Sequence, residues 1–143
     1  MKRTATVLVT TIVATMTLTG CGGASDYCEA VDTNKASLNT FGQKRTDAAY
    51  AKYAKVFADV AKVAPASVKK DWTALSDATD GVIEAQKTAG VKLEDMTDEA
   101  KVKKLGKAEL KELNDAYKAF NATTKQRTAV VKNVLQECDI RLK

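Results

Sequence analysis

The sequence predicts an all-α fold, a compact bundle of five to six helices. Apolar residues recur at steps of three and four through most of the chain, which is the spacing of amphipathic helices. One proline and seven glycines are all that interrupt this pattern in 143 residues. No segment alternates polar and apolar residues long enough to indicate a strand. We therefore expect helices that pack through apolar faces and are joined by short connections.

The first helix is expected to run from Ser25 or Asp26 to about Thr40. Serine and aspartate favour helix starts because their side chains accept hydrogen bonds from the unpaired amides of the first turn. A loop at residues 42–45 ends this helix. The side chains expected to share its inner side are Cys28, Val31, Leu38 and Phe41.

The second helix is expected to begin at Thr46 or Asp47 and to end at Pro65, which cannot continue a helix. Its apolar residues form the stripe of an amphipathic helix. They are Tyr50, Tyr53, Phe57, Val60, Ala61 and Ala64.

The third helix is expected to run from Ala66 or Ser67 to Ala89, since proline suits the residues just before a helix. Gly90 followed by apolar Val91 predicts a left-handed C-terminal cap. The inward residues of this helix are expected to be Val68, Trp72, Leu75, Val82 and Ile83.

A short fourth helix is predicted before Gly106 from the order of its charges. Acidic residues near the start and basic residues near the end suit the helix dipole. These residues are Asp95, Asp98 and Glu99, then Lys101, Lys103 and Lys104.

A fifth helix is expected from Lys107 to Asn121, and a sixth after Thr123, which with Gln126 fits a capping box. One continuous helix over residues 107–139 is the alternative. The inward residues are expected to be Leu110, Leu113, Tyr117, Phe120, Val130, Val131, Val134, Leu135 and Cys138.

Residues 1–20 have the pattern of a bacterial lipoprotein signal peptide. Lys2 and Arg3 precede an uncharged stretch, residues 4–19, that is followed by Gly20 and Cys21. Leu18, Thr19, Gly20 and Cys21 resemble a lipobox, in which the cysteine thiol receives a diacylglycerol. A transmembrane helix is one alternative, although the stretch is shorter than the roughly 20 residues that a span needs. A secretory signal without a lipid is the other.

The chain is therefore expected to divide into a signal peptide (1–20), a short membrane tether (21–26) and one helical domain (27–143). Removal of the signal leaves 21 basic and 18 acidic residues, a net charge of +3. This charge is too small to indicate nucleic-acid binding. Histidine is absent, which removes the most common general base and metal ligand. We expect no metal and no cofactor other than the diacylglycerol on Cys21.

Two cysteines remain if Cys21 carries lipid. Cys28 and Cys138 would then be the only thiols in an oxidising compartment, and we expect them to pair. Two buried free thiols are the alternative. A disulfide would join the first helix to the last.

Several short motifs, taken in their order and spacing, resemble small secreted or lipid-anchored helical proteins of actinobacteria that have no assigned activity. The resemblance implies the helical fold and the paired cysteines, indicates a Gram-positive envelope, and transfers no catalytic residue. The motifs are Asp26-Tyr27-Cys28, Ala64-Pro65, Asp71-Trp72, Ala89-Gly90-Val91, Leu93-Glu94-Asp95 and Glu137-Cys138-Asp139-Ile140.

These features predict a protein anchored by lipid on the extracytoplasmic face of the cell membrane, whose helical domain binds another envelope or extracellular protein. No pairing of a nucleophile with a base indicates an enzyme. The alternative function is a carrier of a small apolar ligand or lipid in the bundle core. Aromatic residues that could line such a pocket are Trp72, Tyr50, Tyr53, Phe57, Tyr117 and Phe120.

Alternating helix directions predict where a partner would bind. The connections at 41–46, 89–91 and 121–123 are expected to lie together at the end of the bundle opposite the disulfide. The connection at 64–67 would lie near the membrane. We expect partner contacts at the far end.

Overall fold

The computed structural model describes residues 22–143, with side chains from Asp26 onward. Over this range the chain forms α-helices and one 3-10 helix and no strand, which confirms the predicted all-α bundle. The predicted signal peptide and Cys21 lie outside the described residues. The elements are α1 (Gly22–Asn39), α2 (Asp47–Val63), α3 (Ala66–Ala89), the 3-10 helix (Leu93–Thr97), α4 (Glu99–Val102), α5 (Lys107–Asn121) and α6 (Thr124–Cys138).

Helix α3 occupies the centre of the bundle. It packs against α2, α5 and α6, while α1 packs against α2 and α6. Trp72 of α3 is 0% exposed and lies at the middle of the core. The largest other apolar side chains that are buried with it are Tyr27, Leu38, Tyr50, Tyr53, Phe57, Leu75, Leu93, Leu113 and Phe120.

Helix α1 begins at Gly22, three residues before the predicted start. Residues 22–26, which we expected to form a tether, are therefore part of the helix. A helix rises about 1.5 Å per residue, so these five residues span about 7.5 Å instead of the roughly 18 Å of an extended chain. The helical domain thus starts directly after Cys21.

Local capping signals predicted the boundaries of α2 and α3. The Thr46 hydroxyl accepts a hydrogen bond from the backbone N–H of Ala49 at 3.2 Å. Gly90 has a left-handed conformation with φ of 65°, and the N–H of Val91 donates to the Gln86 carbonyl at 3.1 Å. This is the arrangement expected for a glycine cap.

The predicted short fourth helix before Gly106 is present as α4, and a 3-10 helix precedes it. The 3-10 helix ends at Thr97, and α4 begins after Asp98, whose carboxylate accepts from the N–H of Ala100 at 2.9 Å. An aspartate that bonds the backbone in this way starts a new helix instead of continuing the preceding one.

Separate helices α5 and α6 exclude the alternative of one helix over residues 107–139. The predicted capping box is wrong, because the Thr123 hydroxyl donates backward to the Phe120 carbonyl at 2.7 Å and accepts from Arg127 Nε at 3.1 Å. Thr123 makes no side-chain cap bond to α6. The Gln126 side-chain oxygen is buried without a hydrogen-bond partner within the described residues.

Three large apolar side chains predicted to face the core are exposed instead: Leu110, Val131 and Leu135, at 40%, 37% and 42%. Helix α5 packs mainly against one neighbour, α3, so the strip of α5 that becomes buried is narrow. Helix α6 buries Val130 and Val134, and the residues that follow each of them point away from the core.

The disulfide between Cys28 and Cys138 is present and joins α1 to the last residue of α6, as predicted. The two Cα atoms are 5.3 Å apart. Around it, the Tyr27 hydroxyl donates to the Asn133 side-chain oxygen at 2.9 Å. The two terminal helices are therefore fixed to each other at this end.

Candidate functional site

Three connections meet at the end of the bundle opposite the disulfide, as the alternating helix directions predicted. The Phe41 ring lies 5.6 Å from the Phe120 ring, measured between centroids. The Asp47 carboxylate accepts a hydrogen bond from the N–H of Leu93 at 2.8 Å. We call this end the tip.

An aromatic cluster fills the tip. Phe41 makes edge-to-face contacts with Phe57 and Tyr53, at centroid distances of 4.8 and 5.2 Å. Tyr50 lies 5.4 Å from Phe120. Each aromatic pair of this kind stabilises a fold by about 0.5–1.5 kcal/mol beyond the area it buries. These aromatic residues are thus mainly core. Phe41, which was expected on the inner side of the first helix, lies just after α1 ends and contacts three other rings of the cluster.

Arg127 of α6 stacks on this cluster, and the sequence analysis did not identify it. Its guanidinium carbon is 5.0 Å from the Phe41 centroid and 4.6 Å from the Phe120 centroid, distances typical of cation–π contacts. The Nη2 group donates to the Phe120 carbonyl at 3.1 Å. Burial lowers the pKa of Arg127 below its ordinary value. No local pattern signals this position, because its aromatic partners come from other parts of the chain.

Residues 139–143 return along the bundle after α6 ends. Asp139 has a positive φ of 53°, which reverses the chain direction at the end of the helix. Ile140 and Leu142 are half-buried against the core, and the N–H of Lys143 donates to the Asn39 side-chain oxygen at 2.8 Å. The segment therefore covers part of the surface between α1 and α6.

A cleft of about 240 Å³ lies between α1, α6 and segment 139–143. We call it the α1–α6 cleft. Its floor is apolar and contains the buried rings of Phe57 and Trp72, and the charged side chains that line it, among residues 26–143, are Arg127 and Lys143. The lining residues are Leu38, Phe41, Phe57, Trp72, Leu75, Arg127, Val130, Val131, Leu142 and Lys143.

A second cleft of about 410 Å³ lies on another side of the tip and contains both Arg45 and Glu94. Beside it, the amide of Gln86 is 3.1 Å from the Tyr117 hydroxyl. Burial raises the pKa of Tyr117, so its hydroxyl is neutral at ordinary pH. The bond between Gln86 and Tyr117 connects α3 to α5, so these two polar groups have a structural role.

Charges are distributed unevenly over residues 21–143. Residues 124–143 contain five basic and two acidic residues, a net charge of +3, and residues 21–123 contain 16 of each. None of the five cations forms an ion pair with another residue of 27–143. The lysines before and within α5 differ, since Lys101, Lys103 and Lys111 each pair with a nearby carboxylate.

The described residues contain no helix with the length and apolar character of a membrane span. The same residues contain no group of three or more potential ligands placed to hold a metal ion. Comparison with family models, with curated proteins and with solved structures finds no match to the chain. The resemblance to small actinobacterial envelope proteins stays a prediction.

Proposed function

We propose that the protein is anchored by lipid at Cys21 on the extracytoplasmic face of the cell membrane and that its helical domain binds another envelope protein without catalysing a reaction. The observation that carries this proposal is the surface of α6. It combines exposed apolar side chains with a concentration of positive charge that forms no ion pair within residues 27–143.

The α6 surface consists of Val131, Leu135 and the five cations of residues 124–143. Val131 and Leu135 are four residues apart, so they lie next to each other on one side of the helix. Exposed apolar residues with a polar rim are typical of protein interaction sites. The cations that form the rim are Lys125, Arg127, Lys132, Arg141 and Lys143.

Charge complementarity specifies the partner's chemistry. All of the mature chain's net positive charge lies in residues 124–143, where it is not neutralised by neighbours. A protein surface that carries an apolar centre and an acidic rim would complement this side of the domain. The α6 surface begins at the tip and extends toward the disulfide, so a partner beyond the membrane can reach it.

Replacement of Cys21 tests the anchor. We expect Cys21→Ser to move the protein from the detergent phase to the aqueous phase in a phase-partition experiment, because the thiol that accepts the lipid is gone. If the variant stays in the membrane as before and still loses its first twenty residues, the anchoring proposal is wrong.

Leu135→Asp tests the binding surface. We expect this variant to reduce cross-linking to neighbouring envelope proteins at least tenfold, because a carboxylate would interrupt the apolar centre and repel an acidic rim. Photo-cross-linkers at Ala122 on the tip and at Ala66 near the disulfide end would report the cross-linked proteins.

Leu110→Asp is the matched control, since Leu110 is exposed to nearly the same degree but lies on α5. It should leave cross-linking from Ala122 unchanged. Equal losses for the two aspartate variants, or stronger capture from Ala66 than from Ala122, would show that the α6 surface is not the binding surface. If the Leu135→Asp variant stays in the membrane and loses only its cross-links to lipid, the α6 surface binds the bilayer and not a protein.

The second candidate function is a carrier of a small apolar ligand. The α1–α6 cleft supports it, because a cleft with an apolar floor and few polar groups is typical of small-molecule sites. Its volume of about 240 Å³ is just below the usual range for drug-sized ligands and suits a small molecule.

A further inference from the structure

We propose that the α1–α6 cleft binds a single-chain anionic amphiphile, with the alkyl chain on the aromatic floor and the carboxylate or phosphate headgroup on Arg127. This inference deepens the carrier function and rests on it. It adds the class of ligand and the residue that selects it.

The floor of the cleft suits an alkyl chain. Phe41, Val131 and Leu142 provide half-buried or exposed apolar surface in the cleft, and the buried rings of Phe57 and Trp72 lie beneath it. The volume of the cleft is about 240 Å³, which suits one short alkyl chain and is too small for a lipid with two long chains.

Arg127 suits a negatively charged headgroup. A guanidinium has five N–H donors. Thr123 and the Phe120 carbonyl accept from two of them, which leaves three. No carboxylate side chain of residues 27–143 forms an ion pair with Arg127, so an anionic ligand would not have to displace any of these carboxylates.

The surroundings of Arg127 strengthen its preference for a negatively charged headgroup. Arg127 is half-buried against two aromatic rings, where a charge-assisted hydrogen bond is stronger than in water. Lys143, the other charged residue that lines the cleft in the described part of the chain, is also positive. An uncharged ligand of the same length would fill the floor but leave both cations without a counter-ion.

Trp72 provides a direct measurement, because it is the only tryptophan in the chain and lines the cleft. The mature chain with Cys21→Ser would be titrated with octanoate, octyl phosphate and 1-octanol, each below its aggregation concentration, while tryptophan fluorescence is recorded. We expect at least one of the two anions to bind at least tenfold more tightly than 1-octanol. The preferred anion identifies the headgroup as a carboxylate or a phosphate.

Variants of the cations test the role of Arg127. Arg127→Met should reduce the preference for the anions to less than twofold, while 1-octanol still binds. Arg127→Lys should retain part of the preference, because the charge remains. Lys132→Met is the matched control, since it removes an exposed cation of α6 that does not line the cleft, and it should change nothing. Circular dichroism would establish that each variant is folded.

Val131→Phe tests whether the ligand binds in the α1–α6 cleft. Val131 is exposed at the rim of the cleft, so a larger side chain there narrows the entrance without disturbing the core. We expect weaker binding of all three ligands. Unchanged binding would place the ligand elsewhere and overturn the inference.

The remaining outcomes separate this inference from the carrier function. Equal affinity for 1-octanol and both anions, unaffected by Arg127→Met, would overturn the headgroup assignment and leave an apolar carrier. No fluorescence change and no measurable binding of any of the three ligands would overturn the carrier function and this inference together.

Discussion

Removal of the Cys28–Cys138 disulfide is expected to lower the free energy of unfolding by about 4–5 kcal/mol. The two cysteines are 110 residues apart, so the bond restricts nearly the whole described chain in the unfolded state. The chain-entropy treatment gives this magnitude for a loop of such length. A domain of this size has a total stability of about 5–15 kcal/mol, so the loss is a large part of it.

Urea denaturation of the double variant Cys28→Ser/Cys138→Ser, compared with the unchanged domain, would measure the effect. The double variant avoids the unpaired thiol that either single variant would leave. Reduction of the unchanged domain should give the same stability as the double variant. A difference of less than about 1 kcal/mol would contradict the role that we assign to the long loop.

Trp72→Ala is expected to lower the free energy of unfolding by about 3–5 kcal/mol, the usual cost of replacing a buried tryptophan by alanine. The Trp72 ring packs 6.0 Å from the Phe57 ring and 6.5 Å from the Tyr27 ring. Its Nε1–H donates to the Tyr27 hydroxyl at 3.1 Å. The substitution removes these contacts from the centre of the bundle and leaves a cavity.

Two variants act as controls for Trp72→Ala. Trp72→Phe keeps an aromatic ring and removes the N–H donor, so we expect a smaller loss of about 1–3 kcal/mol. Lys70→Ala changes an exposed residue of the same helix and should stay within about 0.5 kcal/mol of the unchanged domain. Chemical denaturation would measure all three. A Trp72→Ala loss no larger than that of Lys70→Ala would mean that the tryptophan is not central to the core.

The two proposed binding sites share one side of the molecule. Val131, Arg127 and Lys143 belong both to the α6 surface and to the lining of the α1–α6 cleft. Leu135→Asp separates the two functions, because Leu135 does not line the cleft whereas Arg127 belongs to both sites. This substitution should weaken the binding of a protein partner and leave the binding of a small anionic ligand unchanged.

The sequence by itself determined the helical class, the number of main helices and most of their ends. Thr46, Pro65 and Gly90 each act through backbone groups within a few residues, so their effect can be predicted without knowledge of the fold. The pairing of Cys28 with Cys138 could also be predicted, because few cysteines left few combinations. The periodic spacing of apolar residues predicted which face of α2 and α3 is buried.

Only the tertiary structure decided the features that carry the proposed functions. Whether Val131 and Leu135 are covered depends on how many helices surround α6, and periodicity within α6 does not contain that information. Arg127 meets Phe41 because distant parts of the chain come together at the tip. Segment 139–143 becomes a wall of a cleft because it returns toward Asn39. Contacts between residues far apart in the chain form only when the whole bundle folds, so short-range patterns cannot predict them.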